Sequence, residues 1–252
     1  MNKDIKKNIY IFGSKLNIGN KESVCYQILQ LSKSNKRHGY VCFCNTHSLI
    51  ESVDNKKFQN ALNQSFLTVP DGAPVAYTAS KKIGFKQSRV AGPDTMLEIC
   101  EKAQDEGLSI FLFGSSDNNL LVLERKLKTL FPNLYIAGKY SPDFSNEIPD
   151  SEKHALMINQ SNANITFVSL GCPKQELWCY QNYQKINSVL LGVGAAFNFH
   201  SGMLKRAPEL IQRIGLEWAF RMFQDPIRLI PRYFYTNIRF IILLISSYGK
   251  KG

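Results

Sequence analysis

The sequence predicts an α/β fold: a Rossmann-like, mainly parallel sheet with helices on both faces, followed by a C-terminal helical appendage. Three observations predict it. Short β-branched or aromatic runs alternate with stretches of helical period, the pattern of a parallel sheet covered on both faces. A chain of 252 residues with 44% hydrophobic content can bury one sizeable core. Beyond Asn198 the composition changes, and prolines at 208, 226 and 231 punctuate a basic, aromatic segment. The expected division is 1–198 for the α/β core and 199–252 for the appendage.

In chain order, the Ile-Tyr-Ile-Phe run at 9–12 is the first strand, and 22–34, with apolar residues at 24, 25, 28 and 29, is the first helix. Strands follow at 40–45 and 66–69, with a helix at 58–63 between them. Helices are expected at 73–82, after Pro70-Asp71-Gly72, and at 93–106, where Pro93 suits a first turn. The strand at 108–113 leads through Gly114-Ser-Ser-Asp117 into a helix at 118–131, with Ser116 or Asp117 able to cap it. Strands at 134–137, 165–170 and 188–192 alternate with helices at 151–161 and 173–183. The tail reads as one helix from 208 to about 224, a break at Asp225-Pro226, another at Pro231, and a last segment to about 248.

In open parallel sheets, ligands bind beyond the carboxyl ends of the strands. Asn45, Asp71, Gly114, Gly171 and Gly194 each follow a predicted strand directly, so they are expected on one rim. Arg221, Arg228 and Arg232 are seven and eleven positions apart, which places them on one helical face if the path is straight.

Several features exclude function classes. Residues 1–8 are polar and charged with no apolar run behind them, so no secretory signal is expected. The six cysteines lack Cys-x-x-Cys spacing and sit in mostly apolar surroundings, as reduced, buried thiols do. The simplest reading is a cytoplasmic protein without a metal site. The net charge of +11 is uneven: residues 205–252 hold nine Lys or Arg against three acids. Arginines interleaved with Trp and Tyr suit an anionic partner such as a membrane surface, a diphosphate or a nucleic acid. The apolar run 240–245 is shorter than the roughly twenty residues that a spanning helix needs. It can lie on a membrane, and Trp218, Tyr233, Phe234, Tyr235 and Phe240 are the expected interfacial side chains.

By spacing alone the motifs read in two ways. Pro-Asp-Gly at 70–72 is a common turn sequence, and Gly192-Val-Gly194 lacks the third glycine of a dinucleotide fingerprint. Arg89 and Asp94 could simply pair with each other, and Glu176 in a first helical turn is adequately explained by the helix dipole. His47 and His200 have no partners at metal spacing.

Taken together, the motifs carry more. The blocks are Pro70-Asp-Gly, Arg89-Val-Ala-Gly-Pro-Asp94, Gly171-Cys-Pro-Lys-Gln-Glu-Leu-Trp178, Gly192-Val-Gly-Ala-Ala-Phe, Lys205-Arg-Ala-Pro208, Gly215-Leu-Glu-Trp218 with Arg221, and Pro226-Ile-Arg228 with Arg232-Tyr233. In this order they resemble the WecG/TagA/CpsF family of bacterial glycosyltransferases over most of the chain. The resemblance implies a UDP-sugar donor carrying N-acetylmannosamine or its uronic acid, and an undecaprenyl-diphosphate-linked sugar acceptor at the inner face of the cell membrane. It implies Asp71 as general base, with Arg89 and Gln175 at the catalytic site. Asn45, Gly114, Gly192, Gly194, Arg221, Arg228 and Arg232 are the implied substrate contacts. No cofactor or metal is expected, since no Asp-x-Asp is present and arginine forks can neutralise a leaving diphosphate. No nucleic-acid partner is implied; a homo-oligomer is neither required nor excluded.

Three positions depart from the family pattern: Phe43 stands where many members have Thr, Asn198 replaces a common Asp, and Pro231 replaces the first of two arginines. Two other classes stay open on the residues alone. A nicotinamide-dependent oxidoreductase would need the intact glycine fingerprint. A non-catalytic RNA- or membrane-binding module would leave Pro-Asp-Gly and Gly-x-Pro-x-Gln-Glu unexplained.

Overall fold

The computed structural model describes residue 5, residues 7–143 and residues 151–249. β1 (Lys7–Ile11) and β2 (Ser14–Ile18) form an antiparallel hairpin of their own. Its two-residue turn, Phe12-Gly13, has φ of +50° and +85°, as tight hairpins favour. The expected strand at 9–12 thus pairs with a neighbour that the sequence did not reveal and stands outside the main sheet. Asn17 ties the hairpin to that sheet, its Oδ1 accepting the Thr68 N–H at 2.6 Å.

The main sheet is parallel in every pairing, with spatial order β4-β3-β8-β7-β5-β6. Its strands are β3 (Gly39–Cys44), β4 (Leu67–Pro70), β5 (Ser109–Gly114), β6 (Tyr135–Tyr140), β7 (Ile165–Ser169) and β8 (Val189–Gly192). The connecting helices are α1 (Lys21–Lys33), α2 (Thr46–Asp54), α3 (Lys56–Gln64), α4 (Ala73–Ile83), α5 (Gly92–Asp105), α6 (Asp117–Leu130), α7 (Ser151–Gln160) and α8 (Lys174–Asn182). α2 was not expected. It starts directly after β3, where Asn45 caps it by accepting the Ser48 N–H at 3.1 Å. Ser116, one of the two residues expected to cap α6, does so by accepting the Asn119 N–H.

Two apolar layers sandwich the sheet. One packs Ile28 of α1, Met96 and Ile99 of α5 and Leu123 of α6 on it; the other packs Leu49 of α2, Phe58 of α3 and Trp178 of α8. All six cysteines are free thiols, five of them buried and Cys172 partly so.

The chain then runs through α9 (Ala196–Ser201), α10 (Glu209–Arg213), α11 (Glu217–Gln224) and α12 (Pro226–Gly249). Residue 198, the expected boundary, lies inside α9, whose Phe197 is fully buried. The single helix expected from 208 to 224 is divided at Gly215, where φ is +79°. A Cβ at that position would stand 2.8 Å from the Ala73 Cβ, so the turn presses against the start of α4. The break expected at Pro231 does not occur: α12 continues through it. Proline withholds one N–H from the Ile227 carbonyl, and Ile227 is 91% exposed, so water can serve that oxygen. Phe240 enters the second apolar layer, edge-on to Phe12 at 5.6 Å between ring centres. Lys250 and Lys251 lie outside the described residues.

Candidate active site

The carboxyl ends of β3, β4, β5, β7 and β8 open onto one polar cavity of about 490 Å3, the size range of small-ligand sites. The expected rim residues Asn45, Asp71, Gly171 and Gly194 line it, together with Gln175 and Gly192. From the other side come Arg221 on α11 and Arg228 and Arg232 on α12. The three arginines therefore meet at one cavity from two helices, and not from the single straight helical face expected.

Gly114 is not on the wall; Ser115 and Ser116 after it are. A Cβ at Gly114 would collide with the Ser169 carbonyl, so the glycine lets β5 approach the end of β7. Gly192 and Gly194 make room for a side chain. A Cβ on either would crowd Gln175 at 3.3 Å, and Gln175 Nε2 donates to the Gly192 carbonyl at 2.9 Å. Asn45 caps α2 with its oxygen, and no hydrogen bond among the described residues uses its Nδ2.

Asp71 sits on the wall shared by this cavity and a smaller compartment of about 110 Å3 beneath α11, which Trp218 and Tyr233 also line. Burial pushes its carboxyl up to about 6; Arg89 and the Gly92 N–H pull it down, and Glu217 pushes it up. Arg89 does not pair with Asp94, although the spacing allowed it. Its Nη1 donates to Glu217 Oε2 at 2.7 Å and its Nη2 to Gln212 Oε1 at 3.3 Å. Asp94 instead takes both guanidinium nitrogens of Arg206, at 2.5 and 2.8 Å. Two arginine–carboxylate links thus fasten the tail over the rim, one of them beside Asp71.

The tail arginines differ in their ties. Arg221 lies over the Phe199 ring at 5.7 Å. Arg228 is engaged by Asp225 at 2.5 Å. Arg232 makes no ion pair among the described residues and faces His47 electrostatically. Burial and that guanidinium hold His47 down at about 4, so it is neutral, and neither of its ring nitrogens has a hydrogen-bond partner among the described residues. In the sequence, the one signal that marks His47 is its place just after a strand end. His200, by contrast, hydrogen-bonds the Pro93 carbonyl at 3.0 Å.

Glu176 lies in the first turn of α8, as expected. It is also buried on the cavity wall beside Gln175, and burial pushes its carboxyl up to about 7. Among the departures from the family pattern, Phe43 is a buried ring on this wall and Asn198 accepts from Asn119 at 2.6 Å. Of the aromatics expected at a membrane interface, Trp218 and Tyr233 face the smaller compartment and Phe240 is in the core; Phe234 and Tyr235 are exposed. No helix among the described residues is long and apolar enough to cross a membrane.

A carboxyl poised near neutrality, opposite several arginines on a polar cavity, can remove a proton from a hydroxyl while a departing phosphate is stabilised. Comparison with known proteins identifies the family. The chain is 31% identical over 195 residues to an N-acetylglucosaminyldiphosphoundecaprenol N-acetyl-beta-D-mannosaminyltransferase of Bacillus subtilis (strain 168), covering 75% of this chain and 74% of the relative. It is 31% identical over 202 residues to the protein of the same name from Bacillus spizizenii (strain ATCC 23059 / NRRL B-14472 / W23), covering 77% and 76%. The profile of the family described as Glycosyl transferase WecG/TagA/CpsF family matches residues 9–251, and with the motifs gathered at one rim this chain belongs to that family and is a glycosyltransferase.

Proposed function

We propose that the protein transfers an N-acetylmannosamine-type sugar from a UDP donor to a sugar linked to undecaprenyl diphosphate, in one displacement with inversion and without a metal ion. The relatives' names supply the acceptor and the sugar. The observation that carries the mechanism is the position of Asp71, on the wall between the two compartments and facing the tail. In this reading the larger cavity takes the UDP-sugar and the smaller one admits the attacking end of the acceptor. Asp71, ionised above about pH 6, takes the proton of the acceptor hydroxyl as its oxygen attacks the anomeric carbon. The bond from that carbon to the diphosphate breaks, and negative charge grows on UDP. Arg221, Arg228 and Arg232 stand where they can stabilise it, the service that a metal ion gives in other transferases. Arg89 holds the tail through Glu217 and tempers the Asp71 carboxyl. Gln175 acts from the wall of the larger cavity.

The tail also supports docking at the inner face of the membrane, as a second unit beyond the α/β core. Phe223, Ile227 and Phe234 are 85%, 91% and 70% exposed on α11 and α12, beside the arginines. The test of the reaction is incubation of the purified protein with UDP-N-acetylmannosamine and a short-chain, diphosphate-linked N-acetylglucosamine. Mass spectrometry should show the lipid-linked disaccharide, with an inverted anomeric centre by NMR. A retained configuration, or no disaccharide with this donor or its uronic acid, would refute the reading.

A further inference from the structure

A second basic, aromatic surface lies outside the tail. Residues 5–19, which hold the hairpin, and residues 72–88, which hold α4, contain six lysines and no Asp or Glu. The two stretches are neighbours: Lys82 Nζ donates to the Tyr10 carbonyl at 2.6 Å, and Val75 and Ala79 of α4 share the second apolar layer with Ile9 and Ile11 of β1. With those side chains turned inward, Tyr10 is 56% and Tyr77 64% exposed, and Phe85 is exposed as well. Around them stand the exposed Lys7, Lys81, Lys82 and Lys86. Tyr77 and Lys81 are one helical turn apart, and the Lys81 ammonium lies over the Tyr77 ring, 5.4 Å from its centre. None of these four lysines forms an ion pair among the described residues.

A surface that only meets water mixes charges of both signs and shows few large rings. This one carries a single sign and three rings. Rings that settle at headgroup depth, between lysines whose ammonium groups reach lipid phosphates, fit the surface of an anionic bilayer. A nucleic acid would meet the same charges, but the position of the patch favours the bilayer. Ala73 and Pro74, in the first turn of α4, line the smaller compartment, and Trp218 of α11 and Tyr233 and Asn237 of α12 line it from the tail. Gly215 presses on Ala73, and Phe240 packs on Phe12 at the hairpin turn, so the patch and the tail adjoin at two places. α12 exposes Phe234, Ile238 and Ile241 next to Asn237 in sequence. The compartment is therefore flanked by α4 on one side and by the tail on the other.

We propose that the hairpin and α4 form a second docking surface for an anionic bilayer, which acts with the tail to set the smaller compartment toward the membrane. Its purpose, though not its vesicle binding, rests on the reading above that a lipid-linked acceptor enters there. The patch lacks the continuous apolar face of an inserted helix, so it orients a chain that the tail holds.

The test is vesicle flotation of the full chain with Lys81→Gln, Lys82→Gln and Lys86→Gln combined. A lysine close to anionic headgroups contributes about fivefold to binding. The variant should therefore bind phosphatidylglycerol vesicles about tenfold or more weakly than wild type, and phosphatidylcholine vesicles as wild type does. Transfer to a soluble diphosphate-linked acceptor should stay within about twofold, while transfer to a long-chain acceptor in phosphatidylglycerol vesicles should fall with the binding. Orientation is read by p-benzoylphenylalanine, which should crosslink to lipid from position 77. It should not do so from position 130, exposed on α6, whose Leu127 packs in the other apolar layer. Wild-type vesicle affinity in the triple variant, or equal crosslinking from 77 and 130, overturns the proposal. Loss of binding to a short RNA with vesicle binding intact does so too, and makes the patch a nucleic-acid surface. If the variant loses vesicle binding as expected but the wild type transfers sugar to neither acceptor, the docking surface stands and the reading of the acceptor falls.

Discussion

Replacing Asp71 by Asn should make the protein less active and more stable at once. The carboxyl is moved from an ordinary 3.8 to about 6, chiefly by burial. Roughly two units at about 1.36 kcal/mol each correspond to about 3 kcal/mol, and partial solvent access trims this to about 2 kcal/mol. Because the folded value lies above the unfolded one, the protonated group favours folding, and that contribution is lost as pH rises through about 6. Above pH 6 the wild type therefore carries an ionised Asp71 at a cost to stability, which the Asp71→Asn protein does not incur. For a chain of this size, about 2 kcal/mol corresponds to a Tm gain of about 4–8 °C. The assay is differential scanning calorimetry of both proteins at about pH 8 and about pH 4. The gain should be present at the higher pH and shrink to a small fraction of itself near the lower, where the folded carboxyl is protonated and the unfolded one is close to its own midpoint of 3.8. Turnover of the variant should fall on the order of a hundredfold or more, as for loss of a general base. A variant no more stable at pH 8, or equally stabilised at pH 4, would refute the account of what burial does to this carboxyl; near-normal turnover would remove Asp71 as the base.

Other outcomes are expected. Arg89→Gln should move the acid limb of the rate profile above pH 6 and Glu217→Gln should move it below, each by about half to one unit, since the two charges act on Asp71 with opposite sign; shifts in one direction for both would be inconsistent with this. Activity should survive EDTA, and a complete loss restored by magnesium or manganese would defeat the assignment of metal-like work to arginines. A chain ending at residue 205 should fold with a reduced Tm, because Phe240 leaves the core, and should lose liposome binding and transfer together. Full-rate transfer to a soluble acceptor by that truncated chain would make the tail an anchor alone. Changing Lys250 and Lys251 to Glu should weaken binding to anionic liposomes about tenfold with little effect on a soluble acceptor.

The main sheet was legible because its strands are apolar runs between helices of clear period, and tertiary packing reinforced that local preference. The hairpin partner Ser14–Ile18 escaped because its five residues mix lysine and asparagine with two apolar positions. α2 escaped because it begins where β3 ends, with one asparagine serving both. Proline at 231 misled because its cost depends on whether one carbonyl can reach water, which sequence does not record. At the site, residues placed by strand ends, Asn45, Asp71 and Gly194, could be anticipated from order alone. Glu217 could not: it meets Arg89 across 128 positions, through a turn made by Gly215. Glu176 carried a sufficient local explanation, and only its burial exposed it as incomplete.

α12 works like an indexed shaft. Leu229, Thr236 and Phe240 are buried, Arg228 and Arg232 point to the cavity, and Ile227, Phe234, Ile241 and Ile245 are turned outward. Three environments divide one cylinder, and each residue advances it by about 100°. One amino acid inserted between Arg232 and Thr236, leaving every existing side chain in place, would force a choice. If Thr236 and Phe240 keep their seats, the arginines rotate away from the cavity; if the arginines stay, Thr236 and Phe240 swing out of the core. The angular register of this helix, as much as the identity of its residues, is therefore under constraint, and length changes should be tolerated far less there than beyond Ile245.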